Sequence, residues 1–171
     1  PEFIVSIILI LIVLVPILLC VAFMTIIERK VMGSMQRRIG PNIVGYYGVL
    51  QPFADALKLV VKEQIIPAQS NKTLFFLAPM ISLVFSLLAW GVIPFGSGMA
   101  IYDFSLGLLY SAAITAMGIY GALFAGWAAN SKYAFLGSLR TTAQMVSYEL
   151  IFSTGITAVV LLAGSMNLSI I

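Results

Sequence analysis

Glu149 is the residue whose setting most clearly indicates chemistry. It is the only charged residue in an apolar stretch that runs from residue 141 to residue 164. An ionisable side chain at the centre of a membrane helix costs roughly 2.5 kcal/mol or more, so such residues usually face protein or water and often carry protons. Gln144, Ser147 and Tyr148 are also polar, and with Glu149 they predict a polar stripe on this helix. We interpret Glu149 as a proton-carrying carboxyl; the alternative is a packing residue that hydrogen-bonds to an adjacent helix.

A second group of charged residues follows the first apolar stretch of the chain. Glu28, Arg29 and Lys30 are consecutive, and Arg37 and Arg38 come shortly after them. Basic residues at a membrane edge commonly fix topology and contact anionic headgroups. Neither role needs an acid, so Glu28 beside Arg29 also fits a membrane-edge pocket that holds polar ligand groups or a partner chain.

The rarest residue types limit the metal and redox chemistry that this chain can perform alone. The sequence contains no His and a single Cys, Cys20. Iron–sulfur clusters and structural zinc sites need several Cys or His ligands, and haem iron is commonly held by His, by Cys or by a Met–His pair. Any redox cofactor of a working assembly is therefore expected on other chains.

The elements that must position these residues are predicted by four long apolar stretches, at residues 3–27, 73–95, 104–128 and 141–164. Each exceeds the roughly 20 residues that a helix needs to cross a bilayer. Hydrophobic residues make up 61% of the chain and charged residues 9%, whereas about 25% charged residues is usual in a soluble domain. The sequence predicts an all-α integral membrane protein with four transmembrane helices in one membrane domain. Glycines in the third stretch predict close helix contacts: Gly107, Gly118, Gly121 and Gly126.

The basic residues predict the orientation of these helices. All nine lie outside the four stretches and on one side of the predicted topology. Residues 96–103, which connect the second and third stretches, contain none. Because basic loops stay on the cytoplasmic or matrix side, the connection 28–72 and the connection after the third stretch should face that side. The nine residues are Arg29, Lys30, Arg37, Arg38, Lys58, Lys62, Lys72, Lys132 and Arg140.

The long connection 28–72 contains a predicted amphipathic helix at about residues 52–66, between Pro52 and Pro67. Helical spacing places Asp55, Lys58 and Lys62 on one face, opposite a mainly apolar face. Such a helix is expected to lie in the membrane interface with its charges toward water or a partner. The alternative is a short interfacial helix without a special role.

Three segments of this sequence resemble the quinone-site membrane subunit family of respiratory complex I, the NADH:ubiquinone oxidoreductase. The first comprises ERKVMG at residues 28–33 and QRRIGPN at 36–42. The second is LQPFADALKL at 50–59, followed by Lys62 and Glu63. The third is NSKYAFLGSLR at 130–140, followed by AQ at 143–144 and SYE at 147–149. The motifs occur in the order of the family, and the resemblance covers nearly the whole chain.

The resemblance implies roles for nine residues around a site where ubiquinone is the substrate. It implies that FMN and iron–sulfur clusters lie on partner subunits and that no redox centre lies in this chain. The quinone tunnel entrance and charged funnel would include Glu28, Arg29, Arg37 and Asp55. The proton or charge path would include Arg140, Tyr148 and Glu149. The contact with the peripheral arm would include Lys58 and Lys62.

The resemblance also implies a fold of eight transmembrane helices, of which this chain carries the first four. The chain is expected to be a piece of a longer polypeptide or one product of a divided gene. Its expected partners are other complex I subunits of the peripheral quinone module and membrane arm, a second chain that supplies the later helices, and the lipid bilayer, but not nucleic acid. The expected location is the mitochondrial inner membrane or, alternatively, the bacterial plasma membrane.

Three other functions are compatible with these residues. The chain is also similar to a membrane subunit of an energy-converting hydrogenase, which shares much of the scaffold without necessarily using quinone. An independent transporter would need a polar pathway within these helices, for which only Glu149 is available. A purely structural half-subunit of a partial assembly is the third alternative.

Overall fold

The computed structural model describes residues 1–171 as an all-α protein without strands. Four of its helices are long and apolar enough to cross a membrane, which confirms the predicted fold class. One-turn 3-10 helices occupy Tyr46–Gly48 and Trp90–Val92. The α-helices are α1 (Glu2–Met35), α2 (Gln51–Val61), α3 (Lys72–Ala89), α4 (Gly107–Ala128) and α5 (Lys132–Ala163). The chain divides into two compact units, residues 1–65 and 66–171.

The first unit consists of α1, a turn-rich connection and α2. The apolar stretch 3–27 forms most of α1, but the helix continues to Met35. Glu28, Arg29 and Lys30 are therefore helical rather than part of a loop. The helix can continue because no proline interrupts residues 28–35 and because Glu, Arg, Lys and Met are good helix formers. In α2, the Phe53 ring packs edge-on against Phe23 of α1, with ring centroids 5.8 Å apart.

The second unit is an up-and-down arrangement of α3, α4 and α5 in which the central helix α4 packs against both others. Two glycines of α4 allow this close approach. A Cβ added at Gly121 would overlap Ser82 of α3, and a Cβ added at Gly126 would overlap Ser138 of α5. Ser138 is the one buried polar residue of the chain. The prediction of close helix contacts is thus confirmed at Gly121 and Gly126.

Hydrogen bonds join the segment before α3 to the turn between α4 and α5. The Asn71 backbone N–H donates to the Ala128 carbonyl at 3.0 Å, and the Asn130 side-chain amide donates to the Gln69 carbonyl at 3.0 Å. Asn130 has a φ of 52°, a left-handed conformation that Asn tolerates better than most residues. These bonds form a clasp between residues 69–71 and 128–130.

Other helix ends also differ from the sequence prediction. The predicted amphipathic helix 52–66 ends at Val61, and Lys62 is already extended, with a ψ of 132°. Pro67 disfavours the α conformation only at Ile66, so it does not set the end of the helix at Val61. The helix that contains the fourth apolar stretch begins at Lys132 rather than at residue 141. Arg140 therefore lies within α5 and not in a loop.

Candidate functional site

The first candidate site is an ion pair that joins α1 to α2. Arg29 Nη1 donates to Asp55 Oδ2 at 2.7 Å. Gln51, one helical turn before Asp55, donates its Nε2–H to Asp55 Oδ1 at 3.1 Å. Both carboxylate oxygens therefore accept hydrogen bonds. The i, i+4 spacing of Gln51 and Asp55 on α2 permits this second bond, but sequence reasoning did not include Gln51 in the site.

The hydrogen bond from Arg29 lowers the pKa of Asp55, and the bond from Gln51 and the charges of Arg29 and Lys58 act in the same direction. Partial burial opposes this lowering. Because the folded pKa lies below the unfolded value, the ion pair contributes stability above the unfolded pKa and loses it as pH falls through the folded pKa. The Arg29 and Asp55 side chains are 49% and 34% exposed, so solvent keeps this contribution small.

Arg37 occupies a strained position just after α1. Its φ is 54°, in the left-handed region that glycine usually fills at helix ends. The Arg37 N–H donates to the Ser34 carbonyl at 3.1 Å, and the Arg38 N–H donates to the Gly33 carbonyl at 2.9 Å. This pair of bonds is a Schellman motif, in which Arg37 stands where glycine is usual.

The loop after this motif returns to the last turns of α1. A Cβ added at Gly33 would lie 3.2 Å from the Gly40 nitrogen, so the backbone of the loop nearly touches the helix. The Lys30 ammonium lies 5.4 Å from the centre of the Tyr47 ring, within the range of a cation–π interaction. This contact was not predicted, because neither residue type nor spacing indicates which ring a flexible loop brings to a lysine.

The structure brings together only part of the predicted funnel. Arg29 and Asp55 form a pair, whereas Glu28 and Arg37 are exposed and their side chains form none of the hydrogen bonds or ion pairs in the structure. Lys58 lies in the last turn of α2 and Lys62 just beyond it, and both are exposed. Their role as contacts for another subunit stays a prediction.

The second candidate site is Glu149 on α5. Glu149 is half-buried, whereas Gln144, Ser147 and Tyr148 are all exposed. One residue of an α-helix corresponds to a rotation of about 100°, so Ser147 and Glu149 point about 200° apart. The interpretation of the four residues as one stripe is therefore wrong for Glu149. Residues that are close in sequence point in different directions on a helix, because each is rotated by about 100° from the one before it.

Arg140 and Tyr148 do not contact Glu149 through hydrogen bonds or ion pairs. Arg140 is exposed and lies about 14 Å from Glu149 along the helix axis, from the rise of 1.5 Å per residue. The Tyr148 side chain is 64% exposed and stacks on Phe152, with ring centroids 5.8 Å apart. The three predicted path residues thus share a helix but not a common cluster.

Fold and sites define a multi-pass helical membrane protein with a charged pair where α2 meets α1 and a single carboxyl inside a span. A family model described as NADH dehydrogenase matches residues 8–171. The chain therefore belongs to the NADH dehydrogenase family, and this confirms the resemblance found in its motifs.

Curated relatives agree with this assignment. The chain is 73% identical over 160 residues to NADH-ubiquinone oxidoreductase chain 1 of Mycosarcoma maydis, covering 94% of this chain and 48% of that protein. It is 60% identical over 169 residues to the protein of the same name from Podospora anserina, covering 99% of this chain and 46% of that protein. It is 56% identical over 156 residues to an NADH-quinone oxidoreductase subunit of the bacterium Rhodospirillum centenum, covering 91% of this chain and 46% of that protein. The chain spans about half the length of these relatives.

Proposed function

We propose that this chain is the N-terminal half of the quinone-site membrane subunit of a proton-pumping NADH:ubiquinone oxidoreductase. The observation that carries the proposal is the 73% identity to a protein named NADH-ubiquinone oxidoreductase chain 1, together with the family match over residues 8–171. The similarity to fungal proteins favours the mitochondrial inner membrane over a bacterial plasma membrane as its location. The names of the relatives favour this function over a hydrogenase, a transporter or a purely structural role.

The Arg29–Asp55 pair is the part of the proposed quinone funnel that the geometry supports best. A quinone must pass from lipid to a polar reduction site, so its headgroup needs polar side chains at the membrane edge. Arg29 and Gln51 hold the Asp55 carboxylate in a fixed position, and a fixed charge orients a polar headgroup without reorganisation. Glu28 and Arg37 would complete the funnel around the quinone.

The working assembly would divide the chemistry between subunits. FMN and iron–sulfur clusters on peripheral partners would deliver electrons to ubiquinone, because this chain has one Cys and no His. Lys58 and Lys62 would contact the peripheral arm. A second half, as a continuation of the same polypeptide or a separate chain, would supply the later helices. Arg140, Tyr148 and Glu149 would belong to the path that couples quinone reduction to proton translocation.

The test compares two electron acceptors in assembled complex from native membranes. Asp55→Asn removes the charge but keeps the size of the side chain, so the Arg29 guanidinium loses its ionic partner. We expect the rate of NADH oxidation by quinone to fall roughly threefold to tenfold, as for the loss of a charge-assisted hydrogen bond. The rate with a hydrophilic artificial acceptor that bypasses the membrane should stay the same.

Glu63→Gln is the matched control, because Glu63 is an exposed acid beyond the end of α2 and forms no ion pair. It should leave both rates unchanged. A wild-type complex captured through this chain that lacks NADH:quinone activity would refute the proposed function. An unchanged quinone rate in fully assembled Asp55→Asn complex would remove Asp55 from the funnel.

A further inference from the structure

An open groove lies at the start of α4, at the end of this helix that is predicted to face away from the basic loops. Its volume is about 340 Å³, which is within the range of sites for small ligands. Five of the six residues that line it are hydrophobic, and the sixth is a serine. We call it the α4 groove, and its lining residues are Phe104, Ser105, Leu106, Leu109, Tyr110 and Ala113.

The α4 groove extends from the predicted membrane edge toward the apolar interior. Phe104 is the first residue of the apolar stretch 104–128, whereas Ala113 lies about 9 Å along the helix axis from Gly107. Leu109 and Ala113 are one helical turn apart and share a face of α4, and both are exposed. A lipid acyl chain runs in this direction, from the headgroup region into the hydrocarbon core.

Hydrogen bonds to two neighbouring segments hold this part of α4 in place. The Leu108 N–H donates to the Met166 carbonyl, in the chain after α5, at 3.1 Å. The Tyr110 hydroxyl donates to the Leu88 carbonyl of α3 at 3.5 Å. The start of α4 is therefore tied to both of its neighbours, and the shape of the groove does not depend on a single loop.

The charge beside the α4 groove is negative. Asp103 directly precedes the first lining residue, and it is the only charged residue between residues 91 and 131. Asp103 is exposed, and its Oδ1 accepts a hydrogen bond from the Ser169 hydroxyl at 2.9 Å. Because no basic residue accompanies it, this end of the helices attracts a cationic group and repels an anionic headgroup.

Three aromatic rings form a row next to Asp103. The ring centroids of Tyr102 and Phe104 are 5.8 Å apart, and those of Phe104 and Tyr110 are 5.3 Å apart. The face of an aromatic ring attracts cations, and quaternary ammonium groups are commonly recognised in this way. The acid and the rings therefore favour the same kind of ligand group, an ammonium.

We propose that the α4 groove binds a phospholipid whose headgroup carries an ammonium group. The ammonium lies against Asp103 and the row of rings, and the phosphate accepts a hydrogen bond from the Ser105 hydroxyl. One acyl chain follows Leu109 and Ala113 into the membrane. Acid, hydroxyl and apolar residues thus occur along the protein in the order in which ammonium, phosphate and acyl chain occur along the lipid. The site goes beyond the proposed function and does not depend on it.

The test is photo-crosslinking of lipids to the assembled complex in vesicles of phosphatidylcholine and phosphatidylglycerol in equal amounts. A trace of either lipid carries the same photoactivatable group in its acyl chain, and mass spectrometry locates the labelled residues. Leu161 and Leu162 serve as the reference, because they are 78% and 90% exposed at the same end of the helices. The choline-to-glycerol labelling ratio at residues 104–113 should exceed the reference ratio about twofold to fivefold, as for one exposed ion pair.

Two variants separate the charge from the shape of the site. Asp103→Asn removes the charge and keeps an acceptor for Ser169, so the ratio at the groove should fall to the reference ratio. Glu2→Gln is its control, because Glu2 is an exposed acid on the same side of the predicted topology. Ala113→Phe fills the groove and should reduce its labelling by both lipids. Met117→Phe, one turn further along α4 and outside the lining, should not.

Several results would overturn the lipid site. Residues 104–113 that stay unlabelled in the wild-type complex would show that protein covers the groove. A wild-type ratio equal to the reference, or a ratio that Asp103→Asn leaves unchanged, would refute recognition of the ammonium group. Equal labelling of the groove in Ala113→Phe and Met117→Phe would place the lipid elsewhere. Labelling needs no turnover, so none of these results depends on the NADH:quinone activity that tests the proposed function.

Discussion

Asp55 and Arg37 are held in place by different local chemistry. The Asp55 carboxylate is fixed by two side-chain donors, Arg29 and Gln51. Arg37 is fixed by its backbone, which adopts a left-handed conformation in the Schellman motif. A residue other than glycine in this region costs roughly 1–2 kcal/mol. We therefore expect this position to be more stable with glycine.

Arg37→Gly distinguishes the effect of the backbone conformation of this residue from the effect of its side-chain charge. We expect the detergent-solubilised protein to unfold at a slightly higher temperature, because glycine relieves strain of roughly 1 kcal/mol. The quinone-linked rate of the assembled complex should nevertheless fall, because the proposed funnel loses a cation. Arg37→Lys keeps both the strain and the charge, and its rate should be close to wild type. Equal quinone rates for the Gly and Lys variants would exclude a role for the Arg37 charge.

Residue types were easier to predict than residue contacts. The sequence indicated that Arg29 and Asp55 belong to a charged site, and the structure pairs them; a role for the Glu149 carboxyl stays a prediction. The sequence did not indicate Gln51 as the second donor to Asp55, because an i, i+4 pair forms only when its region is helical.

At the scale of elements, the α4–α5 contact depends on the absence of a side chain at Gly126. Gly126→Ala should destabilise the protein by about 1–3 kcal/mol, the usual cost of an overpacked contact. Gly137→Ala is the control, because a Cβ added at Gly137 meets no atom within 4 Å. The measurement is the unfolding temperature and the yield of assembled complex. A Gly126→Ala protein as stable as Gly137→Ala would show that α4 and α5 can separate freely.

Helix existence was predictable from the apolar stretches, but the helix ends were not. Hydrophobic length reports the part of a helix inside the membrane and carries no information on turns that continue into water. For this reason α1 extends to Met35 and α5 begins at Lys132, beyond the predicted stretches 3–27 and 141–164. The early end of α2 at Val61 was not predictable from Pro67, because a proline restricts only the residue directly before it.

At the scale of the whole molecule, the distribution of charge makes a prediction about topology. Ser34→Cys should react with a membrane-impermeant thiol reagent only from the matrix or cytoplasmic side, because all nine basic residues are expected there. Ser97→Cys, in the connection without basic residues, should react only from the opposite side. Cys20 lies within the first apolar stretch and provides the background signal. Reaction of Ser34→Cys from the intermembrane or periplasmic side alone would reverse the topology.

The clasp between residues 69–71 and 128–130 has a mechanical consequence. The bonds from Asn71 and Asn130 reach backbone carbonyls. They therefore hold the segment before α3 and the turn before α5 together. A displacement of the chain ahead of Lys72 would therefore also move the turn ahead of α5, because two hydrogen bonds join them directly. Because α5 carries Glu149, the clasp links the entry of α3 to the start of the helix that carries this carboxyl.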